Sequence, residues 1–248
     1  MSAATPIIPY DDLNLGKKEQ VKKMFNTIAG RYDFMNRLLT MRIDVLWRRK
    51  AVNLMKKYPH DTILDIATGT GDFAIEFMKL APSKITGIDI AEKMLEIGRE
   101  KVKQKGLSAK IELLEADSEN LPFADNSFDI ASSAFGVRNF ENLNKGLSEM
   151  CRVLKPGGRV LILEASEPSK GLFRKPYKVF MTKICPTIGG VFSENKAYDY
   201  LNKSVAAFPS GKKFEAELIK AGFTNTQSIP LTLGVTTIYI AKKEEAGK

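Results

Sequence analysis

Short apolar runs recur along the chain and alternate with helical periodicity. Ile63-Leu64-x-Ile66-Ala67, Ile85-x-Gly87-Ile88, Ile111-x-Leu113-Leu114, Ile130-Ala131 and Val160-Leu161-Ile162-Leu163 are too short for helices. They predict strands near 62–67, 84–89, 110–115, 128–133 and 158–165, with helical patterns between them. Two further strands, near 224–230 and 234–241, follow one another directly and form a hairpin around Thr232-Leu233-Gly234. This order predicts an α/β fold: a seven-stranded, mostly parallel sheet with an antiparallel last strand. At 248 residues a single domain is the economical reading. It divides into an N-terminal arm with helices over 1–58, a core over 60–166, and a helical insertion over about 171–206 that caps the substrate side.

The first strand runs into Asp65-Ile66-Ala67-Thr68-Gly69-Thr70-Gly71-Asp72, a glycine-tight turn with a carboxylate on each side. Gly69-x-Gly71-x-x-Ala74 also fits the relaxed dinucleotide fingerprint, in which a pyrophosphate sits on the N–H groups that open a helix. Asp72 would place a second anion at that helix end. A sulfonium cofactor, S-adenosylmethionine, has no phosphate, and its positive charge suits a site rimmed by Asp65 and Asp72 and backed by Gly69, Thr70 and Gly71. A nicotinamide-dependent oxidoreductase stays as the alternative from another class, as does a non-catalytic cofactor-binding or adaptor protein. The second strand ends in Asp89, about 20 residues past the turn, where an acid accepts ribose hydroxyls under either cofactor reading. The third ends at Asp117-Ser118, within reach of an adenine amino group.

Longer segments carry a resemblance. Arg152-Val153-Leu154-Lys155-Pro156-Gly157-Gly158, continuing to Glu164-x-Ser166, resembles one signature of the ubiquinone/menaquinone biosynthesis C-methyltransferases. Tyr32-Asp33-x-Met35-Asn36, ending at Trp47, is similar to that family's N-terminal pattern. Phe135-Gly136-Val137-Arg138-Asn139 resembles its catalytic segment, and Tyr198-x-Tyr200-Leu201 and Phe208-Pro209 extend the likeness over nearly the whole chain. The resemblance implies a Rossmann-like fold, S-adenosylmethionine as co-substrate, and C-methylation of a polyprenyl quinol. Demethylmenaquinol is the first choice and the benzoquinol precursor of ubiquinone the second. Three positions depart from the pattern: Thr40 and Asp44 stand where the family usually has Ser and His, and Ala134 where some members have Ser.

Methyl transfer to a ring carbon needs an electron-rich ring, which a deprotonated quinol provides. Arg138, Asn139 and Tyr32 are the motif residues expected to meet it. Arg138 is always protonated, so it reads as an electrostatic stabiliser of the phenolate, with the proton leaving to water. The competing reading is that Arg138 pairs with Glu164 to hold its loop. His60, the only histidine, precedes the first strand at the end opposite the site. No metal-ligand spacing appears, and Cys151 and Cys185 have no redox spacing, which favours a reducing, cytoplasmic compartment. No leader-like or membrane-spanning run is visible.

The net charge of +9 is uneven, since residues 1–60 hold twelve bases against five acids. Ile43, Trp47, Ala51, Leu54 and Tyr58 recur at helical spacing among Arg42, Arg48, Arg49, Lys50, Lys56 and Lys57. Lys170–Lys183 holds five bases and no acid, with Phe173, Tyr177, Phe180 and Ile184 on one stripe. Both segments are expected at an anionic membrane surface, with Phe173, Tyr177, Val179, Phe180 and Met181 lining an apolar entrance. The bland reading is an apolar face packed on the domain and a solvated basic one. Basic surfaces also attract RNA, but no recognisable RNA-binding module is present, so no nucleic-acid partner is expected. A homo-oligomer is compatible with the sequence but not specified by it.

Overall fold

A computed structural model describes residues 7–10, 12, 14–168, 179 and 195–245. Its sheet contains β1 (Thr62–Ile66), β2 (Lys84–Asp89), β3 (Ile111–Glu115), β4 (Phe128–Ala134), β5 (Leu154–Ala165), β6 (Phe223–Leu231) and β7 (Thr236–Lys243). Their order is β3-β2-β1-β4-β5-β7-β6. The first five of these run parallel, and β7 is antiparallel to both of its neighbours. The strand order reverses between β1 and β4, and ligands of open α/β sheets bind outside the carboxyl ends of the strands at such a point.

The central strands are apolar on both faces because helices cover both. On one side α2 (Ile43–Met55), α3 (Asp72–Phe77) and α4 (Glu92–Gln104) pack Trp47, Ala51, Met55, Phe77 and Leu95 onto Ile63, Ile85 and Leu161. On the other, α5 (Leu143–Val153) and α7 (Lys212–Lys220) pack Leu147, Met150, Phe214 and Leu218 onto Leu64, Ile66 and Ile162. Phe77 and Phe214 are wholly buried, each worth about 1.5–3 kcal/mol relative to exposure.

β5 begins at Leu154, four residues before the expected strand start at 158. Leu154 pairs with Phe128 ahead of an irregularity in the ladder. Gly157 adopts φ +79° within that stretch, so Lys155-Pro156-Gly157-Gly158 bends the strand rather than preceding it.

Two helices sit over the carboxyl ends of the strands. α1 (Lys17–Leu39) opens with Glu19 accepting a hydrogen bond from the Gly16 N–H. It shares an apolar cluster, Val21, Met24, Ala197 and Tyr200, with α6 (Asn195–Ala207). Between α1 and α2 the chain turns through Met41 (φ +49°) and Arg42 (φ +63°), two non-glycine residues in the left-handed region. The expected insertion over 171–206 lies outside the described residues up to 194, apart from the exposed Val179. The same holds for Phe173, Tyr177, Phe180, Met181 and Ile184.

The stripe of Ile43, Trp47, Ala51, Leu54 and Tyr58 packs against the sheet. It is therefore a core face, and the expectation that it meets a membrane is corrected. Arg48 is turned inward and paired, while Arg49, Lys50, Lys56 and Lys57 stay exposed. Helical periodicity alone cannot distinguish a stripe that packs on a sheet from one that packs on lipid.

Candidate active site

The turn after β1 is held from several directions. Ala67 and Gly69 both lie in the left-handed region, at φ +54° and +57°. A Cβ at Gly136 would come within 2.6 Å of the Ala67 Cβ and of Ser133 Oγ, so only glycine lets the segment after β4 approach this turn. Asp65 is fully buried, and its oxygens accept from Thr68 Oγ1 at 2.6 Å and Ser132 Oγ at 2.8 Å. Burial pushes its carboxyl up to about 6, although both hydroxyls favour the ionised form. Asp65 is thus spent on the shape of the turn, where the sequence suggested a rim charge.

Asp89, at the end of β2, is half-buried, and burial raises its pKa. Its Oδ2 accepts from Gly69 N and its Oδ1 from Ala91 N, both at 2.9 Å. Its oxygens also accept from the Ile90 backbone N–H and keep acceptor capacity beyond these bonds. They line a cavity of about 60 Å³ together with Gly69, Asp117 and Ser118. Asp117 reaches it with Oδ1 fixed by Glu119 N at 2.9 Å and Oδ2 paired with Lys18 of α1 at 2.7 Å. Lys18 carries no motif and was not foreseeable as part of this site.

Asp72 departs from expectation more sharply. Burial alone would raise its pKa, but Lys101, Arg48 and Arg37 together hold it below the usual carboxylate value. Lys101 lies 2.5 Å from Asp72 and 2.7 Å from Asp33, Arg48 lies 3.4 Å and Arg37 3.5 Å from Asp72. Thr70 joins the same network, donating to Asp33 Oδ1 at 2.7 Å and accepting from Lys101 at 2.9 Å. Asp72 and Thr70 therefore tie α1, α2 and α4 to the turn, and Asp72 offers no free charge to a sulfonium.

Beside the Asp89 cavity lies a larger one of about 200 Å³, walled by Phe25, Ile28, Met35, Trp47, Leu201 and Val205 among others. Phe25, Tyr32, Phe135 and Asn139 line both cavities. Tyr32 packs edge-on against Phe25, with ring centroids 5.9 Å apart. Phe135 holds φ +60° and packs against Trp47, whose Nε1 donates to Thr232 Oγ1 at 2.8 Å. Burial raises the pKa of Tyr32 and pushes that of Tyr200 up to about 12, so both phenols are neutral near pH 7.

Arg138 faces the larger cavity and is also paired. Its Nη1 lies 2.6 Å from Glu164 Oε1 and donates to the Phe135 carbonyl, while Glu164 Oε2 accepts from Arg138 N at 3.3 Å. Burial works against the guanidinium charge, and Glu164 more than restores it. The pairing and the cavity-facing position coexist. Among the described residues, Arg138 Nε, Asn139 Oδ1 and Tyr200 Oη are buried without hydrogen-bond partners, as expected of groups kept for a ligand.

A second pair at this cavity was missed. Asp44, 2% exposed, accepts from Thr40 Oγ1 at 2.8 Å and pairs with Arg48 at 2.5 Å. The 44-48 spacing was a legible sign of a pair on one helical face, while Thr40 reaches Asp44 across the turn between α1 and α2, joining two of the positions that depart from the family pattern. His60 stands before β1, its Nδ1 2.5 Å from the Tyr58 carbonyl oxygen.

The sequence profile described as the ubiE/COQ5 methyltransferase family matches residues 14–243. A ubiquinone/menaquinone biosynthesis C-methyltransferase UbiE from Geotalea daltonii is 49% identical over 92% of this chain and 97% of its own. A demethylmenaquinone methyltransferase from Bacteroides fragilis is 46% identical over 96% of this chain and 97% of its own. Among solved structures, a SAM-dependent methyltransferase from Thermotoga maritima is similar in fold at TM-score 0.64 and 21% identity, covering 90% of this chain and 99% of that one. Another, from Aquifex aeolicus, gives TM-score 0.55 at 22% identity over 78% of this chain and 89% of that one.

Proposed function

The chain belongs to the ubiE/COQ5 methyltransferase family, and from that premise we propose that it methylates a ring carbon of a polyprenyl quinol, with demethylmenaquinol as the first-choice substrate. S-adenosylmethionine supplies the methyl group as an electrophilic sulfonium. The observation that carries this reading is the shared wall. An apolar cavity able to take an aromatic ring adjoins a polar one of nucleoside character, and Tyr32 and Asn139 face both. The nicotinamide alternative finds no support among the relatives.

The residues fit the donor. Asp89 retains acceptor capacity for the ribose hydroxyls, Asp117 and Ser118 line the same cavity and can meet an adenine edge, and Gly69 lets the backbone approach. Arg138 is fixed by Glu164 beside the ring cavity and stabilises an oxyanion there without reorganising. Asn139 Oδ1 and Tyr200 Oη orient the ring oxygens, and the apolar walls exclude water. The substrate ring is tested by mass spectrometry of quinones from cells lacking the protein. Accumulated demethylmenaquinone is expected. An accumulated benzoquinone precursor would reassign the ring, and an unchanged quinone profile would remove the proposal.

A polyprenyl tail places the substrate in a bilayer, and among the described residues no helix is long and apolar enough to cross one. The reading therefore needs a peripheral contact. The α1–α2 corner supports one: Leu38, Met41 and Leu46 are exposed beside exposed Arg42, Arg49 and Lys50, and neighbouring Leu39 and Thr40 line the ring cavity. Binding to anionic vesicles should fall as salt rises, since exposed charges are screened over about 10 Å at 0.1 M. Equal sedimentation with neutral and anionic vesicles would argue against the contact.

A further inference from the structure

The ring cavity holds two buried guanidinium–carboxylate pairs where an apolar ligand needs none. One is Arg138–Glu164, at 2.6 Å with side chains 8% and 0% exposed. The other is Arg48–Asp44, at 2.5 Å with side chains 12% and 3% exposed. They come from different elements, the segment after β4 with β5 and the first turns of α2, yet Arg138, Arg48 and Asp44 line the same cavity. Both arginines also act electrostatically on Tyr32, which lines the same cavity. Buried pairs of this kind are weak contributors to stability, because desolvation offsets most of their attraction. Two in one small apolar cavity call for a ligand with two polar ends.

A 1,4-quinol has two such ends, and they are chemically unequal. In a ring prenylated next to the reacting carbon, one oxygen is ortho to that carbon and, once ionised, pushes charge onto it. The other is meta and cannot. The meta hydroxyl is thus unused by the reaction and free to serve binding. Resting on the quinol reading, we propose that Arg138 attends the ortho oxygen and that Asp44, oriented by Arg48 and Thr40, accepts a hydrogen bond from the meta hydroxyl. The enzyme then selects a ring that carries two hydroxyls.

Asp44 has the capacity for this. Its Oδ1 accepts from Thr40 and its Oδ2 from Arg48, and each carboxylate oxygen has a second lone pair. Arg48 is itself steadied by Asp72 at 3.4 Å, so the carboxylate is held from the cofactor side as well. A solely structural role is the competing explanation, since Thr40 and Asp44 also join the end of α1 to the first turn of α2.

The test compares two substrates under reducing conditions: a short-tailed prenyl naphthalene-1,4-diol, and its monomethyl ether blocked at the oxygen beside the prenylated carbon. The unsubstituted protein should prefer the diol in kcat/KM by about 10- to 100-fold, the size of one hydrogen bond to a charged group. Asp44→Asn should lose most of that preference by slowing the diol, while binding of S-adenosylhomocysteine, followed by calorimetry, persists. Structural damage would slow both substrates alike and leave the ratio intact, and an intact ratio overturns the proposal. Should Asp44→Asn no longer bind S-adenosylhomocysteine, Arg48→Lys is read by the same ratio. If the unsubstituted protein methylates both substrates equally, the meta-hydroxyl site fails and the quinol reading stands. If it methylates neither, the quinol reading fails and this inference with it.

Discussion

We expect label from S-adenosylmethionine to enter a short-tailed demethylmenaquinone only when a reductant such as dithionite converts it to the quinol. A quinone ring is electron-poor and carries no hydroxyl to ionise, so its ring carbon is not a nucleophile. The fixed positive charge of Arg138 acts on an oxyanion, and the quinone has none to offer. On reduction, the hydroxyl ortho to the reacting carbon can lose its proton to water, and the guanidinium favours the phenolate that results. The rate should rise with pH until phenolate formation is complete or the protein unfolds. Equal incorporation under oxidising conditions would refute the phenolate mechanism. Label on oxygen rather than carbon would make the protein an O-methyltransferase.

The second large effect is at Arg138 itself. Arg138→Met should lower kcat by roughly 100-fold or more, the loss found when a preorganised stabiliser of developing charge is removed. Cofactor affinity should stay nearly intact, because Arg138 does not line the Asp89 cavity. The geometry adds a complication that the sequence could not supply. Glu164 is fully buried, and removing its partner leaves an uncompensated charge at a cost of about 3–5 kcal/mol in stability. Glu164→Gln in the same background relieves that charge. If Arg138→Met/Glu164→Gln regains turnover, the loss came from the stranded carboxylate and Arg138 leaves the mechanism. If it stays slow while folded, the guanidinium is what the reaction needs.

The parallel core was legible because its strands are buried on both faces, which leaves uninterrupted runs such as Val160-Leu161-Ile162-Leu163. The turn at Gly69 and the acids ending β2 and β3 were legible for a related reason: ligand chemistry constrains which residues can end a strand. What stayed hidden depends on contacts between distant segments. Nothing local marks Lys18 as the partner of Asp117, nor Lys101 as the cation that joins Asp72 and Asp33, for each pair lies far apart along the chain. Asp65 and Asp72 look alike in sequence, yet one is closed by two hydroxyls and the other neutralised by three bases. The stripe of α2 misled because burial against a sheet and burial in lipid select the same residues.

Four side chains, Phe25, Tyr32, Phe135 and Asn139, belong to both cavities, and this rules out bookkeeping that treats the two ligands separately. Whatever the nucleoside does to the angle of Tyr32 or the amide of Asn139 is met by the ring that arrives next. Thermodynamic reciprocity then fixes the converse: the factor by which one occupant tightens or loosens the other must be returned unchanged. A substitution in this partition cannot be scored as belonging to one substrate, and a demethylated product left in place alters the grip on the next quinol.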